Sequence, residues 1–433
     1  MRSPLTLVVG QRLWQGCAGL VTVAVITSTL SHEQQGWYYT FISIAALYSI
    51  FEMGLSAALL QLSAHIFVNL HWLDGGRVGG DGSDRFQSFL SSSARMYLFM
   101  ALLFVVLAFL VGNHLFSQRQ SPGMSILMWM GPWVALILLT GANMMTLPFL
   151  AIVEGTGEVS EVYKVRLVQG ILGALLTWVA LSSGAWLWAA VMMPFAGFLV
   201  VCCWLLFRRV GLIWTVIRTL SGDEFDWLST IWPHQWRLGL HWVCVFFMSQ
   251  LATPILFYYQ DPVVAGRMGL SLTVAHMLGI IAQSWIARHV PMMSQAVARR
   301  EWLILDHIFR RDFIQSVCVF LLGAMALVII FLLLMDTPYI SRLLPFWEFV
   351  GLLVFVFFYH INGALSAQLR SFRREPLVWV SVVGALLILP GSILQAHSTS
   401  SGVVLVMLVV QSLIVFPLSL ILWRHYNQLW REG

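Results

Sequence analysis

Charge is scarce in this sequence. Only 10% of its 433 residues are Asp, Glu, Lys or Arg, against about 25% in a soluble domain. That deficit, with 59% hydrophobic residues and a mean hydropathy of +0.83, excludes a large soluble core and implies a multi-spanning membrane protein. Lysine is almost missing, since Lys164 is the one lysine among 24 basic residues. Cysteine is sparse too. Cys17, Cys202, Cys203, Cys244 and Cys318 all fall in apolar runs without CxxC or metal-ligand spacing, and they read as small packing residues. The first apolar run lacks an A-x-A-like cleavage site and continues as an ordinary span. The net charge of +5 sits beside apolar segments, so topology accounts for it and nucleic acid is not an expected partner.

What is present is a series of apolar runs. Breaks at charged, Gly-rich or Pro-rich points give twelve candidate spans: 5–29, 37–68, 92–113, 124–152, 160–181, 184–207, 233–256, 263–293, 309–335, 343–369, 376–396 and 402–424. The 20 Trp and 10 Tyr suit interfacial belts as well as the bundle. With the N-terminus in the cytoplasm and alternating spans, 21 of the 24 basic residues fall on the inner side. Arg119, Arg267 and Arg342 are left outside. This bias predicts an even number of spans and both termini inside.

The outer loops are short. On the inner side, "HWLDGGRVGGDGSDRFQ" (71–87) reads as a flexible Gly-rich loop without the spacing or preceding strand of a phosphate cradle. Residues 208–232 read as a partly amphipathic linker at the cytoplasmic interface. That linker divides the chain into an N-terminal six-helix lobe (1–207) and a C-terminal six-helix lobe (233–433). Weak internal matches suggest a parallel repeat. "QRLWQG" (11–16) pairs with "WRLGLH" (236–241), aligning Arg12 with Arg237. "GWYYTFIS" (36–43) pairs with "GRMGLSLT" (266–273), and 150–172 pairs with 365–387, in the same order.

Three stretches carry a family resemblance: "GWYYTFISIAALYSIFEMGLSAALLQLSAH" (36–65), "LPFLAIVEGTGEVSEVYKVRLVQGIL" (147–172) and "VAGRMGLSLTVAHMLGIIAQSWIARHVPMMSQAVARRE" (264–301). They resemble the Wzx-type polysaccharide and O-antigen flippases of the multidrug/oligosaccharidyl-lipid/polysaccharide (MOP) exporter superfamily. Relatives typically show a Gly-x-Tyr opening to span 2, an acidic residue before Gly-Leu, and a Pro with a basic patch after span 8. This chain departs with Glu52 in place of Asp and "GRMG" where an aromatic is expected. The resemblance implies an all-α membrane protein of about 12 helices in a V-shaped pair of six-helix lobes. It also implies translocation of an undecaprenyl-diphosphate-linked oligosaccharide across the bacterial cytoplasmic membrane, with a polysaccharide polymerase and other assembly proteins as further partners.

The intramembrane polar residues supply the candidate site. Glu52 lies about 22 Å into span 2 and Arg12 about 10 Å into span 1 from the opposite side, at similar depth. A Glu52–Arg12 pair is expected, either locking the two spans or releasing Arg12 to substrate. His234, Arg237, His241, Cys244 and Met248 form one helix edge, matched by Gln11, Gln15 and Gly19 on span 1. Arg12 and Arg237, one from each lobe, are therefore the expected clamp for a diphosphate, with Gln11, Gln15 and His241 lining the cavity. The alternative for Arg237 is snorkelling to the cytoplasmic surface. Glu52, His276 and His360 are candidates for proton coupling, so the energy source is expected to be an H+ or Na+ gradient or the membrane potential, with no cofactor. Arg288, His289, Gln283, Asn362 and Gln368 add polarity, as packing or pathway residues. Glu154, Glu158 and Glu161 are expected to be solvated or paired with Lys164 and Arg166. Pro132, Pro148, Pro194, Pro254, Pro291, Pro390 and Pro417 predict bends. A multidrug or small-cation antiporter of the same superfamily is the competing reading. A membrane polymerase or ligase would be expected to carry a sizeable outer loop with catalytic Arg or His. No catalytic or metal residue is expected.

Overall fold

An apolar chain in lipid must bond its own backbone, and the α-helix does this within one segment. The structure, a computed structural model, describes residues 4–119, 125–219, 225–227, 232–372 and 374–432. Among these, ten helices are long and apolar enough to cross a membrane. The bent pair Gln235–Ser249 and Ala252–Tyr259, 43° apart, makes an eleventh. The first helix, Pro4–Thr29, places a 26-residue helix on the first expected span. The chain is thus a nearly all-helical multi-pass membrane protein. Its outward apolar surface fits: Leu102, Leu110, Leu127, Leu322, Leu386 and Leu413 are each more than half exposed. Such a surface is stable against hydrocarbon and costly against water. Hydroxyls inside the helices return to the backbone. Thr22 donates to Ala18 O at 2.7 Å, Thr40 to Gly36 O at 2.7 Å and Ser412 to Leu408 O at 2.7 Å.

The chain divides into two compact units. The first comprises Met1–Leu30 and Ile44–Trp242, the second Ser31–Ser43 and Val243–Gly433. Residues 31–43, counted into the first lobe by sequence, thus build the second unit.

In the first unit, Pro4–Thr29 packs on Val159–Ser182. The Trp14 and Trp178 rings lie 6.3 Å apart, and Trp178 Nε1 donates to Thr22 Oγ1 at 2.9 Å. Gln169 carries the packing onward, donating to Gly197 O of the helix Ala189–Arg208 at 2.9 Å. The Gly-rich stretch is a β-hairpin instead of a flexible loop: Leu70–Trp72 pairs antiparallel with Val78–Gly80. It is held because Trp72 donates to Thr156 Oγ1 at 3.2 Å and lies under the Arg209 guanidinium at 4.4 Å. Arg209, buried at the start of the helix Val210–Arg218, is paired with Glu161. Trp204 Nε1 also donates to Glu161 at 2.7 Å. Glu161 therefore takes Arg209 as partner, not Lys164 or Arg166, while Glu154 pairs with Arg166 at 2.7 Å as expected. The glycines of the hairpin hide this, because the clamp comes from residues about 80–140 positions downstream.

Several prolines mark interruptions. Pro148, Pro254 and Pro291 each sit at the opening turn of the helix that follows a break, where a missing N–H costs nothing. Pro132, Pro194 and Pro390 lie within helices.

The second unit is organised by the crossing of residues 31–43 with the helix Pro262–Ala287. Gly36 and Gly266 meet there backbone to backbone. A Cβ on Gly266 would lie 2.8 Å from Gly36 N, and one on Gly36 would drive into the Pro262 carbonyl. The two stretches paired as repeats in the sequence therefore touch at their opening glycines. Trp37, fully buried, follows one residue on and meets the Phe257 ring edge-on at 5.0 Å.

Gly36→Ala has no flexible neighbour to displace, only the Pro262 carbonyl. It is expected to destabilise the protein by about 1–3 kcal/mol or more, read as a lowered thermal midpoint of the detergent-purified chain. Gly10→Ala, where an added Cβ meets nothing within 4 Å, is the neutral comparison.

Candidate functional site

The second span is not one continuous helix. It runs as His32–Ala45, Tyr48–Glu52 and Leu55–Ile66. At the second break Met53 has φ +49° and Gly54 φ +71°. The left-handed conformation is easy for glycine and costs a methionine about 1 kcal/mol or more. The break also frees amides at the start of Leu55–Ile66, and Glu52 answers them. Its Oε2 accepts Gly54 N–H at 2.8 Å and its Oε1 accepts Ser56 N–H at 2.7 Å. Tyr97, fully buried on the helix Ser83–Ser117, donates its hydroxyl to Oε1 at 3.1 Å. With that proton committed, the Ser56 hydroxyl, 3.2 Å away, is the donor to the Tyr97 oxygen. The carboxylate thus caps a helix start, where the helix dipole also favours negative charge.

The helix Trp232–Ser249 packs on the same break. Gln235 Nε2 donates to the Met53 carbonyl at 2.6 Å, Met53 lies against Gly239, and Trp242 lies against Gly54. Arg237 sits between these contact positions but is exposed, with its guanidinium 5.3 Å from the Trp236 ring centre. Residues 232–242 fall in the first unit, so Arg237 shares that unit with the Arg12 position. Gln11 is buried, Gln15 exposed and His241 half-buried. The side chains of Arg12 and His234 lie outside the described residues, and so does the expected Glu52–Arg12 pair.

A second polar group lies in the second unit, where Pro262–Ala287, Trp302–Leu333 and Phe346–Arg370 meet. Ser316 donates its hydroxyl proton to Ala282 O at 2.6 Å. The contact from Ser316 Oγ to His360 Nε2 at 2.9 Å must then carry a proton from the ring, which fixes the Nε2–H tautomer. Nδ1 of His360 is buried with no partner, as is Nε2 of His276. The His276 ring centre lies 6.2 Å from that of Tyr359, the residue beside His360. Both side-chain atoms of Asn362 and of Gln411 are also buried and unpartnered. Buried groups of this kind are costly when left unsatisfied. Gln368 Oε1 accepts Trp423 Nε1 at 2.7 Å.

Near the far end of Pro262–Ala287, Asp312 is fully buried among cations. It contacts His289 Nδ1 at 2.6 Å, Arg311 at 3.1 Å and Arg288 at 3.5 Å. Among the described residues no group of three or more His, Cys, Asp or Glu could hold a metal ion. Tyr97, Ser56, Gln235, Ser316 and Asp312 were not singled out from sequence. A lone tyrosine or serine in an apolar run gives no sign of its distant partner. The adjacent Gly54 was the one local hint that Glu52 stood at a break.

No protein-family model matches the chain, and no curated protein matches it by sequence. In fold it is similar to known transporters. An inward-facing multidrug resistance MATE family transporter of the MOP superfamily aligns with TM-score 0.69 at 12% identity, over 96% of this chain and 96% of that one. The lipid II flippase MurJ in an inward closed conformation aligns with TM-score 0.61 at 14% identity, over 96% of this chain and 87% of that one. The eukaryotic MATE transporter AtDTX14 aligns with TM-score 0.63 at 14% identity, over 99% and 98%. The chain has the all-helical fold of MOP-superfamily transporters.

Glu52→Gln keeps the shape but turns one acceptor into a donor facing an amide. It is expected to cost about 1–2 kcal/mol, whereas Tyr97→Phe removes one of three donors and costs about 1 kcal/mol or less. Thermal midpoints of the two variants check the order. Equal midpoints for wild type and Glu52→Gln would remove the capping role.

Proposed function

We propose that this chain is a flippase for a lipid-linked oligosaccharide, carrying an undecaprenyl-diphosphate-linked repeat unit across the bacterial cytoplasmic membrane by alternating access. One observation carries the choice of an anionic substrate. Glu52, the acid of the first unit that could have attracted a cation, already accepts two backbone amides and a tyrosine hydroxyl. The other candidate positions for a substrate head group are basic or neutral: Arg12, Arg237, Gln11, Gln15 and His241. Arginine presents a planar fork suited to phosphate oxygens. The MurJ likeness supports the reading, since that protein is described as a lipid II flippase.

In this reading the diphosphate meets Arg12 and Arg237 at the cytoplasmic side, while the polyprenyl tail stays in lipid. His276 and His360 supply coupling. His360 holds its proton on Nε2 toward Ser316, and its unpartnered Nδ1 is the atom a second proton would take. Gaining it places a charge in an apolar junction, which biases the unit between conformations. The competing reading, a small-cation antiporter, draws on the MATE likeness but leaves the cation no free carboxylate at Glu52.

Arg12→Ala with Arg237→Ala is expected to lower surface-polysaccharide export by tenfold or more, since each charge-assisted bond contributes about 1.5–3 kcal/mol, with normal membrane insertion. Wild-type export in the double variant would defeat the clamp. A deletion strain that keeps its polysaccharide but becomes drug-sensitive would select the antiporter. Separately, export by wild type is expected to vary with pH and to lose that dependence in His360→Gln. A pH profile unchanged in the variant would exclude His360 as the proton carrier.

A further inference from the structure

The charge bias of the sequence leaves three arginines on the outer side, and two of them come together. Arg267 lies in the second turn of Pro262–Ala287, and its Nε donates to Ser341 O at 2.9 Å. Arg342 is the next residue along that partner strand of chain. Gln35, 1% exposed, fixes it from both directions. The Gln35 amide donates to Arg342 O at 3.1 Å and to Gly266 O at 2.9 Å, and its Oε1 accepts Arg342 Nη1 at 3.3 Å. His32 lies within electrostatic reach of both guanidinium groups. The seam that holds Gly36 against Gly266 therefore also holds two arginine forks in place.

Among the described residues neither fork is in an ion pair with a carboxylate. Every ion pair among the described residues lies elsewhere. The acids of this end have other uses or are in no ion pair. Asp261 caps Pro262–Ala287 by accepting Val264 N–H at 2.9 Å, and Glu348 accepts the hydroxyls of Ser400 and Ser401 at 2.9 and 2.6 Å. Glu33 and Asp336 are in no pair with either arginine. Burial lowers the Arg342 guanidinium below its usual value, the direction expected of a cation withdrawn from water without a counter-ion. Each guanidinium has five N–H donors, and the anchoring bonds occupy one on each. The Arg288–Arg311 group at the other end of the same helix differs, because its charge is met by the buried Asp312.

We propose that Arg267 and Arg342 form an anion site that takes a phosphate or diphosphate group at the end of the membrane where Pro262–Ala287 begins. Two anchored planar forks, oriented by Gln35 and Ser341, match the paired oxygens of such a group. The shared chemistry belongs both to a lipid head group and to a free diphosphate. The site is independent of the transport reading.

The test uses the full chain in detergent, with inorganic pyrophosphate as probe at constant ionic strength. A saturable rise of the thermal midpoint is expected. Arg267→Gln and Arg342→Gln should each weaken the apparent affinity about tenfold or more, and Arg374→Gln should leave it unchanged. A short-chain phosphatidic acid at equal concentration separates the sources: a tighter response assigns a lipid head group, an equal or weaker one a free anion. No response of the wild type to either probe overturns the site, and so does a response undiminished in both variants. Should the variants not fold, phenylglyoxal labelling of the wild type decides. Pyrophosphate is expected to protect Arg267 and Arg342, and labelling unaffected by it overturns the proposal.

Discussion

Inside a bilayer no water is available to an unpaired amide, so every interruption of a helix must be answered by the protein itself. The second span shows what that demands. Its break at Met53 and Gly54 frees backbone amides, and one carboxylate with two oxygens accepts them. The other contacts at the break follow. Tyr97 completes the carboxylate's shell, Gln235 takes the freed Met53 carbonyl, and Gly239 admits the Met53 side chain. Three helices of the first unit are thereby registered on one another through a polar node instead of through apolar packing alone. A charge in a span is costly by itself. Here the cost is offset because the same group satisfies donors that would otherwise be orphaned.

This constraint bears on function by removing an option. A carboxylate saturated by its own backbone is a poor receptor for a cation. The second unit shows the contrasting case. His276, His360, Asn362 and Gln411 keep buried atoms without partners, whereas Asp312 is fully matched by two arginines and a histidine. Satisfied clusters such as Asp312 and Arg209–Glu161 hold the fold. Unsatisfied ones leave donors and acceptors open inside the fold.

Much of the architecture was legible because lipid imposes one rule on every span. Each predicted run carries a helix, and Pro148, Pro254 and Pro291 stand at breaks as their chemistry requires. Three local readings went differently. The glycines of 71–87 suggested freedom, but Trp72 and Arg209 order the segment as a hairpin. Glu161 was near Lys164 and Arg166 in sequence, yet a helix carries its side chain toward Arg209. Arg237 was assigned to the second lobe by counting spans, and the packing of Gln235, Gly239 and Trp242 puts its segment in the first unit.

The repeat between 36–43 and 266–273 illustrates the boundary between the two kinds of knowledge. Sequence could align Gly36 with Gly266, because aligned glycines are visible as letters. That the two glycines touch, and that Gln35 beside one of them binds the carbonyl of the other, is a property of the folded chain. Composition and hydropathy by themselves determined a multi-pass helical protein and the order of its helices, since transfer into lipid is close to a sum over residues. Which polar group meets which was decided only by tertiary structure. A hydrogen bond depends on atoms brought within about 3 Å, often from positions far apart in the chain, and no local pattern records that meeting.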